Sequence, residues 1–248
     1  MAVTQINFGV ALILGIAPAL GFLWWSIRRF DIPFTQYRLF DDRKLFGSFA
    51  VGMIFGVLVS YLRLLIGGVD FVSSILIFLA ILLTEELFKF VYLNRRGYRE
   101  RFDTTFYGLA LGVGSSSTAV VATVVWTALP QLYQVVGFMV LVLYSVNLAV
   151  INADTGALIG FGASRGDLWR SFAKAVGIRY AHGALLFVFL AAGPYVPDVL
   201  VFVTLATALA FALLVYHYVY TTVLPATLPE EVQREMRREK RRARGVKE

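Results

Sequence analysis

The stretch Ile81-Leu82-Leu83-Thr84-Glu85-Glu86-Leu87-Phe88-Lys89-Phe90 sets two adjacent carboxylates and an ammonium inside an apolar block running from about residue 69 to about residue 93. That length is near the ~20 residues that cross a bilayer core, and its pattern lacks the alternation of a strand. Similar blocks recur at about 6–27, 45–66, 103–126, 131–161, 169–192 and 197–223. Only helices or closed barrels satisfy their backbone hydrogen bonds in lipid, and long unbroken apolar blocks exclude the barrel. The chain is therefore expected to be an all-α polytopic membrane bundle of about seven transmembrane helices over residues 1–226, with a basic tail helix over 227–248. The fifth block carries Asn147, Asn152, Asp154 and Gly156, which predicts a helix that is tilted or interrupted near its end.

Composition agrees with this reading. With 58% hydrophobic and 16% charged residues and a mean hydropathy of +0.72, the chain is too apolar for a soluble domain. The absence of cysteine excludes disulfides, thiolate metal sites and cysteine nucleophiles, and two histidines leave a poor basis for a metal centre. No cofactor and no metal are expected.

Charge sets the expected orientation. Arg28, Arg29, Arg38, Arg43 and Lys44 lie in the first connection, Arg95, Arg96, Arg99 and Arg101 in the third, Arg165 and Arg170 in the fifth. The second, fourth and sixth, around 67–70, 126–131 and 193–197, have no Lys or Arg. This alternation predicts an outside N-terminus, a cytoplasmic C-terminus and a multi-pass protein of the plasma membrane. Met1 to Asn7 carries no positive charge, so a cleaved signal peptide is not expected although Ala17-Pro18-Ala19 has the small residues of a cleavage site. In the tail, Thr227-Leu228-Pro229-Glu230 has the spacing of a capping box, and Arg237, Arg238, Lys240, Arg241, Arg242 and Arg244 follow. Such a segment suits anionic lipid. With no aromatics interleaved to stack on bases, nucleic acid is not the expected partner.

Polar residues inside the blocks are the candidate functional groups, because a charge at the centre of a membrane helix costs about 2.5 to 3.5 kcal/mol on insertion scales. Glu85 and Glu86 repel one another, so a cation or a bound proton is required, and Lys89 lies one turn on from both. His182, in the sixth block, is expected at a similar depth, beside Gly183, and Arg179 one turn earlier is placed to pair with either glutamate. Asp103 is positioned to cap the fourth helix, Gly108 and Gly112 to pack closely, and Ser115, Ser116 and Ser117 to join helices. His217, among Tyr216, Tyr218 and Tyr220, reads as an interfacial anchor.

These residues together resemble the PrsW family of intramembrane proteases, within the wider clan of CAAX prenyl endopeptidases and bacteriocin-processing enzymes. Gly15-Ile16-Ala17-Pro18-Ala19 with Arg28-Arg29-Phe30-Asp31 is like the family's first helix and loop. Glu85-Glu86-Leu87-Phe88-Lys89 matches its Glu-Glu-x-x-Lys motif. Phe102-Asp103 with Tyr107-Gly108 and Gly112-x-Gly114 resembles its second motif, and His182-Gly183 resembles the start of its last. The resemblance implies a peptidase acting on a membrane-anchored polypeptide without a metal. Glu85 would be the general base on a water, Glu86 and Lys89 would set its charge state, and His182 would bond the water or the oxyanion.

The departures are specific. The family's Glu-Asn pair falls at Ala119 and Val120, a further histidine near Leu148, where Asn147, Asn152 or Asp154 offers a polar substitute, and the acid or amide after His-Gly at Leu186, with Asn147 or Asp154 as replacement for the lost partner and Arg179 as an addition. Two other functions therefore stay open. One is a non-catalytic relative that binds a membrane partner. The other is an ion- or proton-coupled carrier, although no inverted repeat of broken helices supports it.

Overall fold

Backbone groups in an apolar block have few partners besides the chain's own carbonyls, and the blocks are wound into helices accordingly. The computed structural model describes residues 2–30, 39–65, 71–127, 135–191 and 198–234. Seven long helices follow the seven blocks: α1 (Ala2–Ile27), α2 (Asp42–Leu65), α3 (Phe71–Leu93), α4 (Thr104–Thr127), α5 (Val135–Arg165), α6 (Leu168–Ala191) and α7 (Asp198–Tyr218). A short α8 (Leu224–Thr227) closes the bundle, and no strand occurs among the described residues. Five of these helices, α1, α2, α4, α5 and α7 with its continuation, are long and apolar enough to cross a membrane. The other two long helices each carry three charged residues: Glu85, Glu86 and Lys89 in α3, and Arg170, Lys174 and Arg179 in α6.

Helix α4 is the axis of the bundle: 78% of its apolar window is buried, against 17% in the α7 segment. It packs along α5 through small residues. A side chain at Gly108 would strike the backbone of Gly156, and one at Gly112 would strike the carbonyl of Asn152, so the two backbones meet with nothing between them. On its other side, α4 receives α2 and α1. Of the two alternatives expected for α5, tilted or interrupted, the interruption does not occur: it is one continuous helix through Asn147, Asn152, Asp154 and Gly156. Its two asparagines find partners without breaking the backbone ladder: the Asn147 amide donates to Leu143 O and Leu205 O, and that of Asn152 to Leu148 O. The helix stops at Gly166, whose φ of +76° suits a residue without Cβ.

One local expectation changes. Thr227 does not cap the tail. It is buried, shares a hydrogen bond with Thr105 and belongs to α8, while the helical turn after it starts beyond Pro229, whose carbonyl accepts from Gln233 N–H. The cause lies upstream. Pro225 has no N–H to give, and the chain shifts register before it into a π turn at Val219–Val223, with Leu224 N–H bonding Val219 O. Tail residues Arg237, Arg238, Lys240, Arg241, Arg242 and Arg244 lie outside the described residues.

Candidate functional site

Glu85 and Glu86 are consecutive on α3, so their side chains diverge by about 100° around the helix axis and meet different partners. Glu86 is sealed in. Lys89 Nζ donates to Glu86 Oε1 at 2.7 Å, to Asn152 Oδ1 at 3.0 Å and to Thr155 Oγ1 at 2.8 Å, which uses all three ammonium hydrogens. Thr155 passes its own hydroxyl proton to Glu86 Oε1 at 3.1 Å. Glu85 pairs instead with α6: Arg179 Nη2 donates to Glu85 Oε2 at 2.6 Å. Arg179 Nε is 3.8 Å from Glu86 Oε1, beyond hydrogen-bond reach, and has no bond of its own. Two carboxylates and two cations thus form one buried, charge-balanced quartet between α3 and α6, with Asn152 and Thr155 of α5 bonded to it. All four are under 10% exposed.

Beside the quartet lies a cavity of about 10 Å³, roughly the size of one water. Glu85 and Arg179 line it, with Asn152 from α5 and Ser115 and Ser116 from α4. Ala119 of α4 and Leu148 of α5 also line it. Next to the cavity, Phe55 of α2 stacks on Phe88 of α3 with ring centroids 3.8 Å apart and planes 3° from parallel.

Glu85, Glu86, Lys89 and His182, expected from the sequence at a similar depth, do not all border this cavity. Of these, Glu85 alone lines it; Glu86 and Lys89 are folded into their own cage. His182 is fully buried but turns toward α5 and α7, where Nε2 is 3.2 Å from Asn147 Oδ1 and its ring faces Phe211 at 6.4 Å. The Asn147 amide gives both hydrogens to carbonyls, so its oxygen is an acceptor and His182 Nε2 carries the proton. The remaining ring nitrogen, Nδ1, then presents a lone pair, and it has no partner.

The supporting residues also differ from expectation. Asp154 does not replace a missing motif residue at the cavity: it is buried on α5, away from the lining, and neither carboxylate oxygen has a hydrogen bond. Asp103 stands just before α4, where a cap belongs, but its carboxylate accepts two bonds from Arg101, at 3.0 and 2.8 Å, and one from Tyr107 Oη at 2.8 Å. Tyr107 in turn accepts Asp41 N–H, so Asp103 ties two connecting segments together at a distance from the quartet. Beside it, the carboxylate raises the pKa of the Arg101 guanidinium. The three serines bond back to carbonyls of their own helix, at Gly112, Val113 and Gly114, and it is Thr118 that reaches another helix, at Met53 O. His217 is exposed, and its carbonyl accepts from Thr221.

Thr155 escaped the sequence reading. Its signal was present in the spacing Asn152-x-x-Thr155, which puts two hydrogen-bonding side chains on the same face of α5. Among the described residues no group of three or more His, Asp or Glu is placed to hold a metal ion. No protein-family model matches the chain, and neither does any curated protein or solved structure.

Proposed function

We propose that the chain is an intramembrane peptidase resembling the PrsW family, which cleaves a membrane-anchored polypeptide with a water activated by Glu85. One observation carries the reading: Glu85 and Arg179 border a water-sized cavity within the helical bundle. Buried ionisable groups in such bundles are costly and mark functional sites. Ala119 and Leu148 at the same cavity add support, since the two positions were singled out by resemblance to the family's motifs and not by proximity.

In this reading the seven long helices all cross the plasma membrane, with the N-terminus outside, the C-terminus in the cytoplasm and the basic tail on anionic lipid. Glu85 takes a proton from a water whose oxygen attacks the peptide carbonyl carbon, and returns that proton to the leaving amine as the C–N bond breaks. Glu86 stays compensated by Lys89, which keeps the second negative charge from disfavouring ionised Glu85. A carboxylate bonded to a guanidinium is a weak base, so Arg179 has to release Glu85 before the water is activated. The quartet is then the resting, latched form of the site.

The test is cleavage of a co-expressed membrane-anchored reporter. Glu85→Gln, which keeps shape and removes the base, is expected to abolish cleavage with folding and insertion retained, and Arg179→Leu to raise the rate. Turnover that survives Glu85→Gln overturns the assignment. A second reading, a non-catalytic relative that binds a membrane partner, draws on the apolar side chains at Ala119 and Leu148 and on the turn of His182 toward α7. Absence of turnover by the wild-type protein, with a cellular phenotype unchanged in Glu85→Gln, selects it.

A further inference from the structure

Arg179 and His182 stand one turn apart on the face of α6 that packs on α5, and both are buried. Each carries one unused hydrogen-bonding atom, and the two are complementary: Arg179 Nε–H is a donor without an acceptor, His182 Nδ1 an acceptor without a donor. The acceptor exists because of Asn147. With its amide spent on Leu143 O and Leu205 O, Asn147 offers only its oxygen, which fixes the His182 proton on Nε2 and leaves the Nδ1 lone pair without a donor, three residues along the helix from Arg179. An orphaned buried acceptor is destabilising, so a second arrangement that satisfies it is favoured by that interaction.

We propose that Asn147 and His182 form a second seat for Arg179: the guanidinium bonds Glu85 in the latched form and His182 Nδ1 in the released form, which frees Glu85 to act on water. His182 is then a positioning residue that acts through Arg179, without contact with the reacting atoms. This rests on the peptidase reading for its purpose, but the two seats are a property of the side chains and are measurable without turnover. The move gives the buried guanidinium a hydrogen-bond acceptor that simple dissociation from Glu85 would not supply.

The chain has two histidines, so ¹⁵N-histidine labelling of the full protein in lipid nanodiscs gives two ring systems, and a His217→Gln variant assigns them. In the wild type, His182 is expected with Nε2 protonated and Nδ1 bare. Glu85→Gln removes the first seat's charge, and the Nδ1 resonance is expected to move upfield as it accepts from Arg179. Glu85→Gln with Arg179→Leu should return it to the bare position. A proton on Nδ1 in the wild type, or an identical Nδ1 resonance in the single and double variants, overturns the second seat.

The reporter assay supplies the epistasis. His182→Leu is expected to lower cleavage at least about tenfold, as for loss of a hydrogen bond to a charged group, and to have no effect in an Arg179→Leu background, where there is nothing to seat. Asn147→Leu, which unlocks the tautomer, should follow His182→Leu in both backgrounds if either variant folds poorly. An equal loss in both backgrounds overturns the proposal by making His182 act directly. The expected nitrogen shifts without any reporter turnover would support the second seat and overturn the peptidase reading, so the two failures are distinct.

Discussion

The seam between α4 and α5 and the layer between α3 and α6 are built on opposite terms. Along the seam, Gly108 meets Gly156 and Gly112 meets Asn152 backbone to backbone, and the serines of α4 are satisfied within their own helix. No side chain there has a second place to go. In the layer, Phe90 packs on Trp169 and Phe172, but the polar contact between the helices runs through long charged side chains, and Glu86 Oε2 and Arg179 Nε, with His182 Nδ1 of the same α6, are left without partners. The first arrangement gives rigidity, because displacing either helix loses close contact along its length. The second gives alternatives, since a guanidinium or ammonium can change acceptors by rotating about its own bonds. A bundle that holds both can move a charge while keeping its frame.

The sharpest way to break this contrast is to unbalance the quartet. Lys89→Met strands Glu86 in its cage, and removing one partner of a buried ion pair costs about 3 to 5 kcal/mol. Thermal unfolding in detergent is the measurement. Lys89→Met combined with Glu86→Leu should recover most of the loss, because removing a buried pair together is often close to neutral. A loss under about 1 kcal/mol for Lys89→Met alone would mean that water reaches the cage.

A smaller effect separates the seam from the rest. Gly112→Ala forces a methyl group against Asn152 O and is expected to cost about 1 to 3 kcal/mol, the range for overpacking. Gly177→Ala, on an exposed face of α6 with nothing within 4 Å of the added carbon, should stabilise by about 0.4 to 1 kcal/mol through the unfolded chain. Opposite signs for one chemical change locate the rigid part of the molecule. Equal signs would show that α4 and α5 separate easily and remove the distinction drawn above.

How much was legible in the sequence follows the same division. The helices were readable because apolar block length is a one-dimensional quantity, and the pairing of Arg179 with a glutamate was readable because opposite charges in an apolar setting have few other options. The direction in which His182 points was not. Sharing a depth with the glutamates fixes its height along the bundle and leaves its azimuth open, and the azimuth is decided by Asn147, 35 residues away. Asp103 illustrates the same limit: its place before α4 was foreseeable, but Arg101 two residues earlier takes up both oxygens. Of the tilt or interruption expected in α5, the interruption is absent for a different reason. Polar residues break a membrane helix only where its backbone loses partners, and here each asparagine donates back to the carbonyl four residues earlier.

The smallest expected effect bears on the boundary between the two regions, at Ser116. Its hydroxyl donates to Val113 O at 2.8 Å, within its own helix, while the residue also lines the cavity that Glu85 and Arg179 share. Replacing it by alanine removes donor and hydroxyl together and leaves Val113 O in the helical ladder, so no buried group is orphaned. Ser116→Ala should therefore change stability by no more than about 0.5 kcal/mol, where Thr118→Val, which severs the bond to Met53 O on α2 and orphans nothing on α4, should cost about 1 kcal/mol. The sharper readout for Ser116 is the reporter rate. If the cavity holds the reacting water, losing one polar wall changes that rate while thermal unfolding stays put; if the cavity is only a packing defect, both stay put and the seam extends to the edge of the quartet.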